Sequence, residues 1–117
     1  MSMEDEVKTI INSLGTVYIS FTPSSPDNCI TITPSGGYPR GFTESKLSYP
    51  TFQIKVRAAA NSYATGRALC DTIKNTLHGY KGGKFLIIRQ QGDVLSLGKD
   101  SSNRSEWSIN FNTDYRG

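Results

Sequence analysis

The residues that could perform chemistry in this chain are few and lie far apart in the sequence. His78 is the sole histidine, and Cys29 and Cys70 are the only cysteines. On one helix, Cys70 and His78 would be about 12 Å apart, which is too far for a nucleophile and its base. With no C-x-x-C spacing, a zinc site is not expected. We predict two buried free thiols, with a disulfide between them as the alternative.

The carboxylates and glycine pairs also form no catalytic pattern. Acidic residues cluster at positions 4–6 or occur singly in predicted turns, whereas general acid–base catalysis uses carboxylates or a histidine held in a cleft. Gly36-Gly37 and Gly82-Gly83 match neither GxxxxGK[ST] nor GxGxxG, so both read as turns. We therefore predict a protein that is not an enzyme and binds no metal or cofactor.

Length and composition indicate a single domain spanning residues 1–117. The chain is 36% hydrophobic and 20% charged, with a mean hydropathy of −0.40, as in soluble globular domains. No apolar run approaches the roughly 20 residues needed to cross a bilayer. The acidic, polar start predicts that there is no secretory signal.

Charge is distributed unevenly along the chain. Residues 1–45 contain two basic and five acidic side chains, whereas residues 46–117 contain eleven basic and five acidic ones. A basic second half could meet nucleic acid or an acidic partner. The basic residues are scattered and lack interleaved aromatics, so a nucleic-acid-binding module is kept as an alternative class.

Two segments show the three-and-four spacing of a helix with one apolar face. The first covers residues 4–14, with Ser2 as its cap and Gly15 as a left-handed end. The second covers residues 62–78, with Ser62 as its cap and Gly79 at its end. Gly66 lies on the second helix's apolar stripe, which predicts a close approach of helix to sheet.

Alternating apolar and polar residues predict six short strands, at 16–21, 29–33, 51–58, 84–91, 93–99 and 106–113. Phe52 and Trp107 mark the buried faces of two of them. Residues 34–48 are rich in glycine and proline and are predicted to form a flexible loop. The fold class is therefore α+β, a mostly antiparallel sheet with the two helices on one face.

Several of these patterns together resemble a known family. The strand Tyr-Pro-Thr-Phe-Gln-Ile-Lys-Val-Arg at 49–57 is followed by a helix carrying Tyr63, Gly66, Cys70, Ile73, Leu77 and Gly79 in register. The segments 97–100, 103–104 and 108–111 look like the family's closing hairpin, and residues 28–32 with Gly36-Gly37 look like its early strand and loop. Over about residues 16–112 the chain resembles the tail-terminator, or minor capsid, proteins of long-tailed bacteriophages.

The resemblance implies a structural virion protein of the tail or neck, assembled in the host cytoplasm. Such proteins form a ring, usually a hexamer, that ends growth of the tail tube and offers a surface for head–tail joining. The implied partners are further copies of the chain, the tail-tube protein and a head-completion or stopper protein. The resemblance implies no contact with a membrane. DNA would pass through the lumen without sequence-specific binding. A tail-tube or head-completion (neck) protein is the alternative from the same setting.

A ring needs two different contact surfaces on each subunit. We expect one to lie on the sheet face without helices, and the candidate residues are Gln53, Lys55, Arg57, Asn110 and Asn112. Tyr38 and Phe42 are the large apolar groups of the 34–48 loop and are candidate anchors, so the loop is predicted to become ordered on assembly. A solvated sheet face and an ordinary surface loop are the alternatives.

Overall fold

A computed structural model describes residues 2–24, 27–38 and 47–116, and it has the predicted α+β architecture. Its regular elements are α1 (Met3–Ile11), a 3-10 turn (Asn12–Leu14), β1 (Val17–Ile19), β2 (Cys29–Tyr38), β3 (Leu47–Ala58), α2 (Tyr63–Leu77), β4 (Phe85–Lys99) and β5 (Ser105–Arg116). The strand order is β1-β2-β3-β5-β4. Among the described strands only β1 and β2 pair in parallel; the other neighbours are antiparallel.

The described residues form five strands where the sequence predicted six, because two predicted strands are one. Residues 85–91 and 93–99 both belong to β4. Gly92 has a φ of +77°, and the pairing register shifts between Gln91 and Leu95. The glycine thus makes a bulge within a continuous strand. The predicted hairpin between residues 93–99 and 106–113 is confirmed by the β4–β5 pairing.

The second difference is the length of β2 and β3. Residues 34–38 and 47–48, predicted to be loop, pair with neighbouring strands. Pro34 is tolerated there because β1 pairs with β2 only as far as Ile32, which leaves the rest of β2 as an edge that needs no further donor. The loop prediction is therefore wrong for residues 34–38 and 47–48, and residues 39–46 lie outside the described residues.

Helix α1 begins as predicted and ends differently. The Ser2 side chain accepts from the Asp5 N–H, and the Asp5 carboxylate accepts from the Ser2 N–H, which together make a capping box. Gly15 follows the 3-10 turn with a φ of 167°. That is extended backbone, so the expected left-handed end at Gly15 is wrong.

The core lies between the two helices and one face of the sheet. Phe52 and Phe111, paired in register on β3 and β5, are fully buried and stack with ring centroids 5.1 Å apart. Trp107 is 1% exposed. The predicted inward faces of β3 and β5 are thus confirmed.

Helix α2 has its ends near the predicted residues. Ser62 occupies the N-cap of α2 without a side-chain cap bond, and Gly79 ends the helix with a φ of +81°.

Candidate subunit-contact surface

The sheet face opposite the helices carries the residues that the sequence proposed for contacts. Gln53 pairs with Asn110, and Thr51 pairs with Asn112. Paired residues point to the same side, and side chains alternate along each strand. Since Phe52 and Phe111 face the core, the odd-numbered residues of β3 and the even-numbered residues of β5 share the other face. We call this face, from Gln53 and Lys55 across to Asn110 and Asn112, the polar face.

Charged groups on the polar face neutralise one another. The Lys55 ammonium lies 3.0 Å from the Glu106 carboxylate. The Arg89 guanidinium donates to the Asp114 carboxylate at 2.9 Å and to the side-chain amide oxygen of Asn112 at 2.7 Å. Partly exposed pairs of this kind add little stability, but they leave the surface locally neutral. Arg89 was not among the sequence candidates, because only the tertiary pairing of β4 with β5 places it here.

Between these ion pairs runs a row of three amides. Gln53 of β3 pairs with Asn110 of β5, which pairs with Gln91 of β4. Asn110 and Gln91 are exposed and Gln53 is half-buried. Within the described ranges, no side-chain hydrogen bond involves any of the three. Each amide offers two donors and an acceptor oxygen, so the row presents free hydrogen-bonding capacity on a rigid scaffold.

Arg57 shares this face but is not open to solvent. It is only 4% exposed, and its Nε donates to the Asp27 carbonyl oxygen at 3.1 Å. The sequence had placed it on an uncovered face by alternation alone. The segment that follows β1 folds back over this end of the sheet, and its Thr22 hydroxyl lies 2.9 Å from that of Thr31. Arg57 therefore anchors a covering segment.

Arg104 also binds the segment that follows β1. Its guanidinium donates to the Ser24 carbonyl oxygen at 2.6 Å and to the Asp100 carboxylate at 2.8 Å. Asp100 also accepts the backbone N–H groups of Ser102 and Arg104. The Arg104 N–H is the main cause of the lowered pKa of Asp100. The Asp-x-x-x-Arg spacing is therefore structural, closing the β4–β5 turn and fastening the covering segment.

The two aromatic candidates lie at or beyond the end of β2. Tyr38 is the last residue of β2 and pairs with Tyr49 of β3. Phe42 lies outside the described residues. The prediction that residues 34–48 order on assembly concerns mostly residues 39–46, so it stays a prediction, which amide hydrogen exchange on free and assembled protein would test.

The two cysteines of the described chain are buried, whereas His78 is exposed. Cys29 and Cys70 are free thiols, and burial raises the pKa of both, that of Cys70 to about 11. His78 Nδ1 accepts the Gln90 N–H at 2.9 Å. No group of three or more His, Cys, Asp or Glu side chains is placed to hold a metal within the described residues. No described helix is both long and apolar enough to span a membrane.

Comparison with known proteins agrees with this architecture. A family model described as "Bacteriophage tail terminator protein" matches residues 5–116. The chain belongs to the bacteriophage tail terminator family. It is thus a structural protein of the phage tail, located in the virion. Comparison with curated protein sequences gives no match.

A solved structure shares the fold of this tail terminator. It is a chain of the "Virion of native gene transfer agent (GTA) particle", 14% identical, with a TM-score of 0.59. The alignment covers 95% of this chain and 84% of the other. At that identity the likeness concerns the fold alone.

Proposed function

We propose that this chain forms a ring of six subunits at the head-proximal end of the tail tube. The ring ends tube polymerisation and presents a surface for a head-completion or stopper protein. DNA passes through its lumen without sequence-specific binding. The observation that carries the proposal is the family match over nearly the whole chain, from residue 5 to residue 116.

The polar face supports a protein contact on the ring. Its ion pairs are satisfied internally, so a partner can cover them without leaving an unpaired charge. Gln53, Asn110 and Gln91 offer donors and acceptors that complement the backbone or amides of a partner. We assign this face to contact with the tail-tube protein or with a neighbouring subunit.

Native mass measurement of the purified protein tests the ring. We expect a species of about six times the 12.9 kDa chain mass, with a central hole in electron micrographs. Purified protein that elongates into long tubes would favour a tail-tube protein instead. DNA binding that weakens steeply with salt would favour the nucleic-acid-binding alternative.

A tube-length assay tests the termination activity and the polar face together. Adding the protein to polymerising tube protein should cap tubes and shorten their mean length. Asn110→Asp combined with Gln91→Glu places two unpaired carboxylates in the amide row, and we expect capping to weaken at least tenfold. Asn75→Asp, on the exposed side of α2, is the matched control and should cap normally. Full capping by the double variant would exclude the polar face from the tube contact.

A further inference from the structure

Within the described residues, β1 and β4 are the outer strands of the five-stranded sheet, and β2 is also unpaired on one side beyond Ile32. On β1, the Thr16 carbonyl oxygen and the Ser20 N–H are bonded to β2. By alternation the backbone groups of Val17 and Ile19 point away from β2, and they have no backbone partner among the described residues. The β1 edge is therefore open to a further strand.

The β4 edge is closed over one half and open over the other. The turn after α2 bonds the Ile88 backbone, through Gly79 and Tyr80, and His78 accepts the Gln90 N–H. Beyond Gln91, no second strand or turn pairs with this edge in the described parts of the chain. Two short local bonds shield it: the Val94 N–H donates to the Asp93 carboxylate at 2.7 Å, and the Gly98 N–H donates to the Ser96 hydroxyl oxygen at 3.4 Å.

Exposed apolar side chains lie at both open edges. Phe21, just after β1, is 61% exposed, and Leu95 and Leu97, in the open half of β4, are 58% and 46% exposed. Phe21 contacts Tyr18 of β1, with ring centroids 5.7 Å apart. Open strand edges that carry exposed apolar side chains are sites of strand pairing between chains.

The two edges are also in register with each other across the sheet. Tyr18 pairs with Thr31, Thr31 with Lys55, Lys55 with Ser108, and Ser108 with Leu95. These five residues form one row that crosses all the strands. Tyr18 and Leu95 therefore lie at the same height and on the same face, at opposite edges.

Strand direction favours joining these edges. β1 runs parallel to β2, and the three remaining steps across the sheet are antiparallel. β4 therefore runs opposite to β1. When copies are related by rotation about an axis along the strands, β4 of one copy meets β1 of the next as an antiparallel pair.

We propose that neighbouring subunits of the ring join edge to edge, with β4 of one copy pairing with β1 of the next. Leu95 then packs against Tyr18 and Phe21 of the neighbour. The inference rests on the proposed ring. It is a heterologous contact, as ring closure requires, whereas pairing of β4 with β4 would stop at a two-fold dimer. The polar face remains available for the tube protein.

Disulfide trapping tests this contact in the assembled protein. Within one chain, Tyr18 and Leu95 are separated by four strand spacings of about 4.8 Å, roughly 19 Å in all, which no disulfide spans. Opposite residues of a paired antiparallel strand are about 4.5 to 5.5 Å apart, which suits a disulfide. Any bond between Tyr18→Cys and Leu95→Cys is therefore intermolecular.

We expect the oxidised double variant to give a covalent ladder that ends at the ring size, and each single variant to stop at dimers at most. Leu86→Cys combined with Tyr18→Cys is the control, because Leu86 is an exposed leucine in the closed half of β4 and on another row. A ring that forms by native mass without the ladder overturns the edge contact and leaves the proposed function standing. Failure of the unmodified protein to form any ring overturns both.

A charge variant gives a second measurement that needs no cysteine. Leu95→Glu should lower the ring fraction at least tenfold while the subunit stays folded, because the carboxylate would be buried against Tyr18 and Phe21. Leu86→Glu should assemble normally. Equal assembly of both variants would contradict the proposal.

Discussion

Gly66 of α2 lies directly against Trp107 of β5. A Cβ added to Gly66 would be 2.6 Å from Trp107 Cζ3 and 2.6 Å from the Ala58 Cβ. Real Cβ contacts are not this short, so glycine is what permits the helix to approach the sheet. Gly66 thus confirms the packing role predicted from its place on the apolar stripe.

Gly66→Ala should therefore destabilise the protein although alanine is the better helix former. Overpacking a core costs typically 1–3 kcal/mol, against a gain of about 1 kcal/mol in helix propensity. We expect a net loss of up to about 2 kcal/mol in the free energy of unfolding, measured by urea denaturation. Asn75→Ala on the exposed side of the same helix should change stability by less than about 0.5 kcal/mol. A stabilised Gly66→Ala protein would contradict the close packing.

Removing the large core aromatics should cost much more. Trp107→Ala and Phe52→Ala are each expected to destabilise by about 3 to 5 kcal/mol, because both side chains are almost completely buried. Leu97→Ala, at an exposed leucine, is the control and should have a small effect in the free subunit. Unchanged denaturant midpoints for the two aromatic variants would mean that the strand faces are reversed.

Tyr115 ties the last strand to the first helix. Its hydroxyl donates to Glu6 Oε2, while Glu6 Oε1 accepts the Lys84 N–H. Burial raises the pKa of Tyr115 above its usual value, and the hydrogen bond to Glu6 is the next largest cause of this shift. The neutral phenol is favoured in the fold, so this stabilisation is complete below about pH 10 and is lost as pH rises toward the folded-state pKa.

Tyr115→Phe should accordingly lower stability by about 1.5 to 3 kcal/mol at pH 7, the range for a hydrogen bond to a charged group. The difference from the parent should shrink above pH 10. Thermal unfolding from pH 7 to 11 measures it. A stability difference between parent and variant that stays constant over this range would show that ionisation of Tyr115 does not affect stability.

Asp100 should contribute to stability with the opposite pH dependence. Hydrogen bonds led by the Arg104 N–H hold its pKa below the usual value. The ionised form is favoured in the fold, so its contribution is present above about pH 4 and is lost as pH falls through the lowered pKa. Asp100→Asn should be less stable than the parent at pH 7, and urea midpoints of the two should converge in acid. Urea midpoints of parent and variant that differ by the same amount at every pH would contradict this assignment.

The two thiols should be unreactive in the native protein. Cys70 is fully buried, and burial raises the pKa of its thiol to about 11. Thiolate, not thiol, is the nucleophile. A thiol reagent at pH 8 should label neither Cys29 nor Cys70 in native protein and both after denaturation in urea. Rapid labelling of one thiol in the native state would show that its element opens readily.

The sequence alone determined the helices, the alternation of core residues and the fold class. These follow from local periodicity, since side chains repeat every 3.6 residues on a helix and every second residue on a strand. The buried positions Trp107, Ile109 and Phe111 of the last strand could be predicted for that reason. The family resemblance was also carried by residues in linear order.

The tertiary structure alone decided which strands are edges, which residues share a row, and what covers Arg57. The alternation that assigned Arg57 to an open face was sound, but burial by the segment at Asp27 depends on long-range contacts. Gly92 could signal a turn or a bulge, and only pairing with β5 selects the bulge. The alignment of Tyr18 with Leu95 arises from four successive strand registers, which no local pattern encodes.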